Sequence, residues 1–343
     1  MNILVTGGAG YVGSVCVEEL LKQRHQVVAY DNLSAGFRAA VVPGAIWVRG
    51  NIGDAAALNR VCRKYKIEAV MHFAASALVD ESVRNPALFY RNNVTSSLTL
   101  LDVLLENKIK KMVFSSSAAT YGEPQSVPIR EDHRNLPINT YGETKLVMEK
   151  ALAWYHAAYG LSFAALRYFN AAGATKLLGE DHRPETHLIP RLLSVADDPQ
   201  ATFSIYGDDY PTPDGTCVRD FVHVLDIAQA HILALEQLSK PKALIYNVGL
   251  GQGYSIREAV EAAERCTGRK IRVKTGPRRA GDPAVLVASP DRIREELGWN
   301  PRHSDLANII TSAWQWRQLH PRGYQAEKAP GKKVSRSRER SKR

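Results

Sequence analysis

The chain has 343 residues, of which 45% are hydrophobic and 23% are charged, with 24 glycines and 17 prolines. This composition excludes a fibrous, collagen-like or wholly disordered chain and predicts about two structural units. The net charge is +10, but residues 326–343 alone hold eight Lys/Arg and two Glu, so residues 1–325 carry only +4. The basic tail 326–343 lacks apolar periodicity and is predicted to be disordered.

The amino-terminal sequence and the cysteines bear on where the protein is found. No basic segment followed by an apolar stretch opens the chain, and no apolar run reaches the roughly 18 residues that a membrane span needs. Cys16, Cys62, Cys217 and Cys266 show no C-x-x-C spacing, so reduced thiols are expected. We therefore expect a cytoplasmic protein without a membrane span.

The first half of the chain alternates short apolar runs with longer helical patterns. The runs predicted to be strands are residues 3–5, 26–30, 69–73, 111–114 and 163–168. They lack polar alternation, which is typical of strands that are covered on both faces. The sequence therefore predicts an α/β fold in which residues 1–172 form a doubly wound, Rossmann-like parallel sheet with crossover helices.

The pattern changes after residue 172, where glycine, proline and charged residues become frequent. Residues 173–325 are predicted to form a smaller C-terminal α/β domain, with about 219–250 returning to the first domain. The elements predicted there are strands at 203–206 and 244–248, a loop at 207–215, and helices near 225–237, 256–267 and 306–320.

A glycine cluster directly follows the first predicted strand and opens a helix. Residues 7–13 read GGAGYVG and satisfy both G-x-G-x-x-G and G-x-x-G-x-x-G. Such glycines let backbone N–H groups and the helix N-terminus approach a pyrophosphate. Asp31 ends the second predicted strand, where a carboxylate can bond a ribose 2′-hydroxyl and favours NAD over NADP. Arg38 leaves NADP open, and an ordinary turn with a capping Asp is the plainer alternative.

Tyr141 and Lys145 stand four residues apart, on one face of a predicted helix. A phenol that acts as a base at neutral pH needs its pKa lowered by about 3 units, which takes ~4 kcal/mol. One positive charge ~4 Å away at an effective dielectric of about 20 supplies that energy. A lone Y-x-x-x-K is more often a surface lysine beside a tyrosine, but here Ser117 also ends a nearby predicted strand. Its hydroxyl either bonds the substrate oxygen that Tyr141 deprotonates or caps the next helix.

Taken together, these features resemble the extended short-chain dehydrogenase/reductase family, and within it the nucleotide-sugar 4-epimerases. The resemblance runs from residue 2 to about residue 324. It is carried by VTGGAGYVG at 5–13, DNL at 31–33, HFAA at 72–75, NNV at 92–94, FSSSA at 114–118, Tyr141 with Lys145, LRYFN at 166–170, YGDDYPT at 206–212, DGT at 214–216, VRDF at 218–221 and RRAGD at 278–282.

The resemblance implies inversion of C4 of a UDP-hexose with NAD tightly bound. Tyr141 would remove the proton of the sugar 4-hydroxyl while hydride passes from C4 to the nicotinamide. The resulting 4-keto sugar would turn and take the hydride back on its other face. Ser117 would assist at the 4-oxygen, and Lys145 would also hold the nicotinamide ribose. A homodimer paired through helices near 88–105 and 141–159 is implied as well.

The resemblance also implies which residues bind each ligand. Those implied for NAD are Gly7, Gly10, Tyr11, Val12, Gly13, Asp31, Asn32, Asn51, Ile52, Phe73, Ala74, Ala75, Asn92, Ser115, Tyr141, Lys145 and Tyr168. Those implied for the UDP-sugar are Ser117, Tyr141, Asn170, His187, Tyr206, Arg219, Arg279, Asp282 and Leu286. Asn51 stands where an Asp usually meets the adenine, and Ala77 replaces a lysine found near the cofactor in some members.

Several residues bear on other reactions and functions. Sugar-nucleotide 4,6-dehydratases carry an Asp-Glu pair where this chain has Ala118 and Ala119, so dehydration is not expected. Leu286 stands where a Tyr restricts some epimerases to plain hexoses, so UDP-N-acetylhexosamines and UDP-pentoses stay open as substrates. A nucleic-acid-binding protein on a dehydrogenase scaffold is less favoured, because the tail has no aromatic residue to stack bases and would at most bind polyanions weakly. No H-E-x-x-H or G-x-S-x-G motif occurs, and no metal site is predicted.

Overall fold

A computed structural model describes residues 1–279 and 281–324, so the basic tail lies outside the described residues. The strands, in chain order, are β1 (Asn2–Thr6), β2 (Gln26–Asp31), β3 (Ile46–Arg49), β4 (Ala69–His72), β5 (Lys111–Ser117), β6 (Ser162–Tyr168), β7 (Asn170–Ala172), β8 (Phe203–Tyr206), β9 (Val218–Arg219), β10 (Phe221–His223), β11 (Ala243–Val248), β12 (Tyr254–Ser255), β13 (Val273–Gly276) and β14 (Val285–Leu286).

Helices fill most of the connections between these strands. They are α1 (Tyr11–Lys22), α2 (Ala55–Lys64), α3 (Val79–Arg84), α4 (Pro86–Phe89), α5 (Ser96–Glu106), α6 (Thr140–Tyr159), α7 (Leu188–Asp197), α8 (Val224–Gln237), α9 (Ile256–Thr267), α10 (Asp291–Leu297) and α11 (Leu306–Leu319). A π-helical turn (Tyr90–Thr95) joins α4 to α5, and 3₁₀ turns occur at Arg38–Ala40 and Ala118–Thr120. No helix among residues 1–279 and 281–324 is long and apolar enough to cross a bilayer.

Seven of the strands form one parallel sheet in the order β11-β6-β5-β4-β1-β2-β3. Strand β1 pairs with β2 on one side and with β4 on the other, through Val5 opposite Ala29 and Met71. The chain thus adds strands outward in both directions from β1, and such a reversal leaves a crevice at the carboxyl ends of the central strands. The predicted α/β class with a doubly wound parallel sheet is confirmed.

The burial of β1 explains why its sequence is apolar without alternation. Ile3 and Val5 pack in one core with residues of α1 and α8, whereas Leu4 packs in a second core with residues of α2 and α5. All three side chains are fully buried. A strand covered by helices on both faces needs apolar side chains at every position, which is the pattern that identified it.

The second half of the chain forms small sheets around a third core. Their strand orders are β10-β7, β12-β9-β14 and β13-β8. Leu192 of α7, Phe203 of β8 and Ile309 of α11 lie in the core that holds them together. Strand β11 leaves this region and joins the seven-stranded sheet beside β6, and α8 packs on α1.

Strand β3 was not predicted, for a physical reason. It pairs with β2 at the edge of the sheet, where Arg49 is exposed and Ile46 is only partly buried. An edge strand is covered less completely than a central one, so its sequence need not carry a continuous apolar run.

Candidate active site

A cleft of about 580 Å³ opens at the carboxyl ends of β1, β2, β4 and β5 and continues into the second half of the chain. Of the residues named from the sequence for the cofactor and the substrate, all but Asn51 line it. The exposed Asn51 side chain instead accepts a hydrogen bond from the backbone N–H of Gly53, at 2.8 Å. Residues as far apart in the sequence as Gly7 and Leu286 therefore face one cavity.

The glycine turn after β1 leaves no room for side chains. Gly7 has φ of +72°, and a Cβ there would lie 2.6 Å from the backbone nitrogen of Ala74. A Cβ on Gly13 would lie 2.2 Å from the Gly7 carbonyl oxygen. Helix α1 begins just beyond, with no side chain capping its N-terminus. Tight turns that aim free N–H groups into a cleft are typical phosphate cradles.

Asp31 lies at the end of β2, next to this turn. Its Oδ2 accepts from the backbone N–H of Ala9 at 3.1 Å, and its Oδ1 accepts from Leu33 at 2.8 Å. Burial raises the pKa of this carboxyl, and the hydrogen bonds from Leu33 and Ala9 oppose that shift. The carboxylate is thereby fixed beside the cradle, where it can accept a hydrogen bond from a hydroxyl group.

Helix α6 presents Tyr141 and Lys145 to the same cleft, as their spacing predicts. The Lys145 side chain is almost completely buried, and its Nζ donates to the carbonyl oxygen of Ser115 at 2.7 Å. The same Nζ lies 5.7 Å from the centre of the Tyr141 ring and 5.0 Å from that of Phe114. The ammonium is therefore held between α6 and β5, beside the phenol.

Burial is the largest influence on both groups. It raises the pKa of Tyr141, which a hydrogen bond with Ser117 opposes. It lowers the pKa of Lys145 to about 7, which the nearby carboxylate of Glu149 opposes. We expected Lys145 together with an oxidised nicotinamide to lower the pKa of Tyr141, and in the protein alone burial keeps that pKa raised. Activation of the phenol therefore needs further positive charge in the cleft.

Ser117 has one of the two roles that the sequence left open, that of a cap, and its hydrogen bond to a substrate oxygen stays a prediction. Its Oγ accepts from the backbone N–H of Ala119 at 3.1 Å and so caps the 3₁₀ turn Ala118–Thr120. It also lies within hydrogen-bonding reach of Tyr141. The two positions that follow it carry only methyl groups, so neither can act as an acid or a base there.

Short strands of the second half bring the remaining predicted residues to the cleft. Pairing of β7 with β10 sets Asn170 opposite Phe221, and pairing of β9 with β14 sets Arg219 opposite Leu286. Arg219 forms an ion pair with Asp282. These groups lie next to one another because of strand register, although they are far apart in the sequence.

The two arginines at 278 and 279 have different surroundings. The Arg279 guanidinium lies over the Tyr206 ring, 4.3 Å from its centre, and lines the cleft. Arg278 forms an ion pair of 2.7 Å with Asp209 and lies over the Tyr210 ring. Only Arg279 is therefore placed to meet a ligand in the cleft.

A buried polar network behind β5 was missed by the sequence analysis. Glu149 forms an ion pair of 2.5 Å with Arg167 and accepts a hydrogen bond from Ser116. Arg167 also donates to the Tyr121 hydroxyl at 2.9 Å. The signal was present, because Glu149 follows Lys145 by one helical turn. The network fixes α6 against the strand that carries Ser115 and Ser117.

Glu180, His182, Glu185 and His187 form a second group that the sequence analysis did not connect. Their carboxylate oxygens and imidazole nitrogens lie within 4.8 Å of one another. The carboxylates accept hydrogen bonds from both imidazoles. The absence of a metal site therefore stays a prediction.

A family model described as "NAD dependent epimerase/dehydratase family" matches residues 3–249. The chain belongs to this family. The NAD dependence in the family's description agrees with the glycine turn and the acidic residue at the end of β2. The Tyr/Lys pair in the same cleft agrees with the chemistry that the description names.

Relatives in the family match almost the whole chain. The UDP-glucose 4-epimerase of Lacticaseibacillus casei is 49% identical over 327 residues, which are 94% of this chain and 99% of that protein. The crystal structure of UDP-glucose 4-epimerase from Brucella ovis in complex with NAD is 49% identical, with a TM-score of 0.88 over 91% of this chain and 97% of that one. The enzyme from Bifidobacterium longum in complex with NAD⁺ and UDP is 36% identical, with a TM-score of 0.90 over 94% of this chain and 100% of that one.

Proposed function

We propose that the chain interconverts UDP-glucose and UDP-galactose by inverting the sugar carbon C4, with NAD bound throughout. The observation that carries this proposal is the position of Tyr141, Ser117 and Lys145 in the same cleft as the glycine cradle. Relatives that are 45–49% identical over nearly their whole length are named UDP-glucose 4-epimerases, which agrees with this reaction.

The residues around the glycine turn fit NAD. The space that side chains at Gly7 and Gly13 would need is filled by backbone, so the turn can come close to a pyrophosphate. Asp31 can accept a hydrogen bond from an adenosine ribose hydroxyl, and its negative charge disfavours a 2′-phosphate. Lys145 would hold the second ribose. When bound, NAD supplies the hydride acceptor and donor and adds positive charge beside the phenol.

The side chains around Tyr141 handle the proton of the sugar. The Tyr141 oxygen takes the proton of the 4-hydroxyl, and Ser117 donates a hydrogen bond to the same sugar oxygen. Lys145 stabilises the phenolate by its charge. Once the 4-keto sugar has turned within the cleft, Tyr141 returns the proton and the product has the opposite configuration at C4.

The part of the cleft that is lined by Asn170, Arg219, Arg279 and Asp282 suits the uridine diphosphate. Arg219 and Arg279 carry guanidinium groups, which bind phosphate oxygens in bidentate fashion. Asn170 and Asp282 offer an amide and a carboxylate for further hydrogen bonds. Residues 1–172 would therefore hold the cofactor, residues 173–325 would hold the substrate, and the segment 219–250 would complete the first unit.

Assembly and location are part of the proposal. Large apolar side chains are exposed on α6, where Trp154 is 75% and Tyr159 is 53% accessible, and Tyr90 is 42% accessible nearby. We propose that a second copy of the chain covers these surfaces in a homodimer. The four cysteines are unpaired, which agrees with a cytoplasmic protein.

The preferred sugar can be tested directly with the purified protein. Purified protein without added NAD is expected to convert UDP-galactose into UDP-glucose, because the cofactor is regenerated within each turnover. Product formation is measured by separating the two UDP-sugars chromatographically, with heat-denatured protein as the control. UDP-N-acetylgalactosamine and UDP-xylose belong in the same assay, because Leu286 lines the cleft beside Phe169 and Ala118. Turnover of those sugars without turnover of UDP-galactose would contradict the proposal.

A further inference from the structure

The loop before α7 carries the pattern Glu-x-His twice, at residues 180–182 and 185–187. His187 lines the main cleft, whereas Glu185 faces a second cavity of about 400 Å³ behind it. Glu180 lies between them, with only 6% of its side chain exposed. His182 borders both cavities as well, so the loop places two imidazoles at the cleft, with Glu180 between the cavities and Glu185 on the far side.

The hydrogen bonds of His187 fix the proton on one nitrogen. Its Nδ1 lies 2.8 Å from Glu180 Oε1 and 2.9 Å from Glu185 Oε1. Carboxylates at neutral pH only accept hydrogen bonds, so Nδ1 must carry a proton. The Nε2 atom has no hydrogen-bond partner within residues 1–279 and 281–324. In a neutral ring Nε2 would be an acceptor, whereas in an imidazolium it is a donor.

The charges around the ring decide between these two forms. Burial lowers the pKa of His187, but the carboxylates of Glu180 and Glu185 outweigh it and raise the pKa to about 10. For Glu180, burial is outweighed by His187 and His182, which lower its pKa to about 2. The Tyr11 phenol of the glycine turn also faces the two carboxylates, and burial keeps it neutral by raising its pKa.

The remaining neighbour on the loop is His182. Its ring centre lies 4.8 Å from that of His187, and its Nδ1 lies 3.2 Å from Glu180 Oε1. Of the nearby cations, Arg191 of α7 lines the cleft, as do the arginines at 219 and 279. An imidazolium at position 187 therefore adds to a cationic half of the cleft.

We propose that Glu180 and Glu185 are positioning residues that keep His187 protonated, so that its Nε2 donates a hydrogen bond to the diphosphate of the UDP-sugar. The inference rests on the proposed function. The carboxylates act through the ring, because they decide whether the atom that meets the diphosphate donates or accepts a hydrogen bond. A neutral ring would turn a lone pair toward an anionic oxygen and weaken binding.

The first test uses NMR to measure the protonation state of the His187 ring in the purified holoenzyme without substrate. The protein is labelled with ¹⁵N histidine, and His187→Gln assigns the signals of His187. The wild-type ring is expected to stay an imidazolium from pH 6.5 to pH 8.5. In Glu185→Gln its titration is expected about two pH units lower, because an opposite charge within 4 Å shifts a pKa by about 1–3 units.

The second test is kinetic. Glu185→Gln is expected to raise the KM for UDP-galactose about fivefold at pH 8.5 and little at pH 6.5, with kcat within about twofold. Glu261→Gln is the matched control, because it removes a carboxylate from an exposed ion pair with Arg265. In His187→Lys, whose cation does not depend on Glu185, the added Glu185→Gln change is expected to leave the KM independent of pH. A purely structural role would not produce this dependence on pH.

Three results would overturn the proposal. One is a neutral His187 ring at pH 7 in the wild-type protein. Another is an unchanged pH profile of KM in Glu185→Gln. The third is a KM that rises with EDTA and recovers with Zn²⁺, because a metal ion would then take the place of the proton. Absence of UDP-sugar turnover would overturn the proposed function, whereas the ring measurement needs no substrate and is decided separately.

Discussion

Replacing Tyr141 by Phe is expected to lower kcat for UDP-galactose by a factor of ~10² or more, because general acid–base catalysis contributes about 10²–10⁴. The change removes one oxygen and keeps the ring that lies beside Lys145 Nζ. Without the phenol, the neighbouring Ser117 hydroxyl would have to take the proton of the 4-hydroxyl, and it is a much weaker base. The KM and the amount of NAD that copurifies are expected to change little.

Tyr155→Phe is the matched control for this experiment. Tyr155 lies on the same helix, and its hydroxyl donates to Asp102 at 2.6 Å, outside the cleft. The kcat of Tyr155→Phe is expected to stay within about twofold of the wild-type value, because the hydroxyl that is removed lies outside the cleft. Steady-state rates measure kcat, and the ratio of nucleotide absorbance to protein absorbance in the purified proteins measures the bound NAD. Full activity of Tyr141→Phe would show that the base is assigned wrongly.

Replacing Lys145 by Met is expected to have the second large effect on kcat. At 5.7 Å, the distance from Nζ to the Tyr141 ring centre, the charge of protonated Lys145 at an effective dielectric of about 20 is worth about 3 kcal/mol. That energy corresponds to about two powers of ten in rate. The substitution also leaves the buried Ser115 carbonyl without its donor. We therefore expect kcat to fall by ~10² or more and the bound NAD to decrease.

The control for Lys145→Met lies one and a half helical turns further along α6. Lys150 is exposed and points away from the cleft lining, so Lys150→Met is expected to leave kcat within about twofold. Thermal unfolding of both variants separates a loss of catalysis from a loss of folded protein. A kcat for Lys145→Met within fivefold of the wild type would contradict a charge effect on the phenol.

Much of the cofactor half of the cleft could be predicted because its signals are local. Gly7 and Gly13 follow a strand, and Asp31 ends a strand, whose central residues are all apolar. Tyr141 and Lys145 are one helical turn apart. In each case the spacing along the chain fixes the geometry directly. The family resemblance supplied the rest of the residues, of which Asn51 alone does not line the cleft.

The substrate half depends on contacts that spacing along the chain does not reveal. Arg219 and Asp282 are 63 positions apart and meet only because β9 pairs with β14. The ion pair between Glu149 and Arg167 likewise needs α6 to pack on β6. The surroundings of His187 depend on how one loop folds back on itself. Contacts of this kind arise from tertiary packing. The residues could therefore be identified from the sequence, but the side chains that they contact could not.

The central claim is that the hydrogen on C4 leaves and returns to the same carbon within one molecule. UDP-glucose that carries deuterium at C4 tests it, with the purified protein in ordinary water and no added NAD. NMR of the UDP-galactose formed is expected to show full retention of deuterium at C4 and none at other positions. Loss of the label to water, or inversion that requires added NAD in proportion to product, would contradict the account.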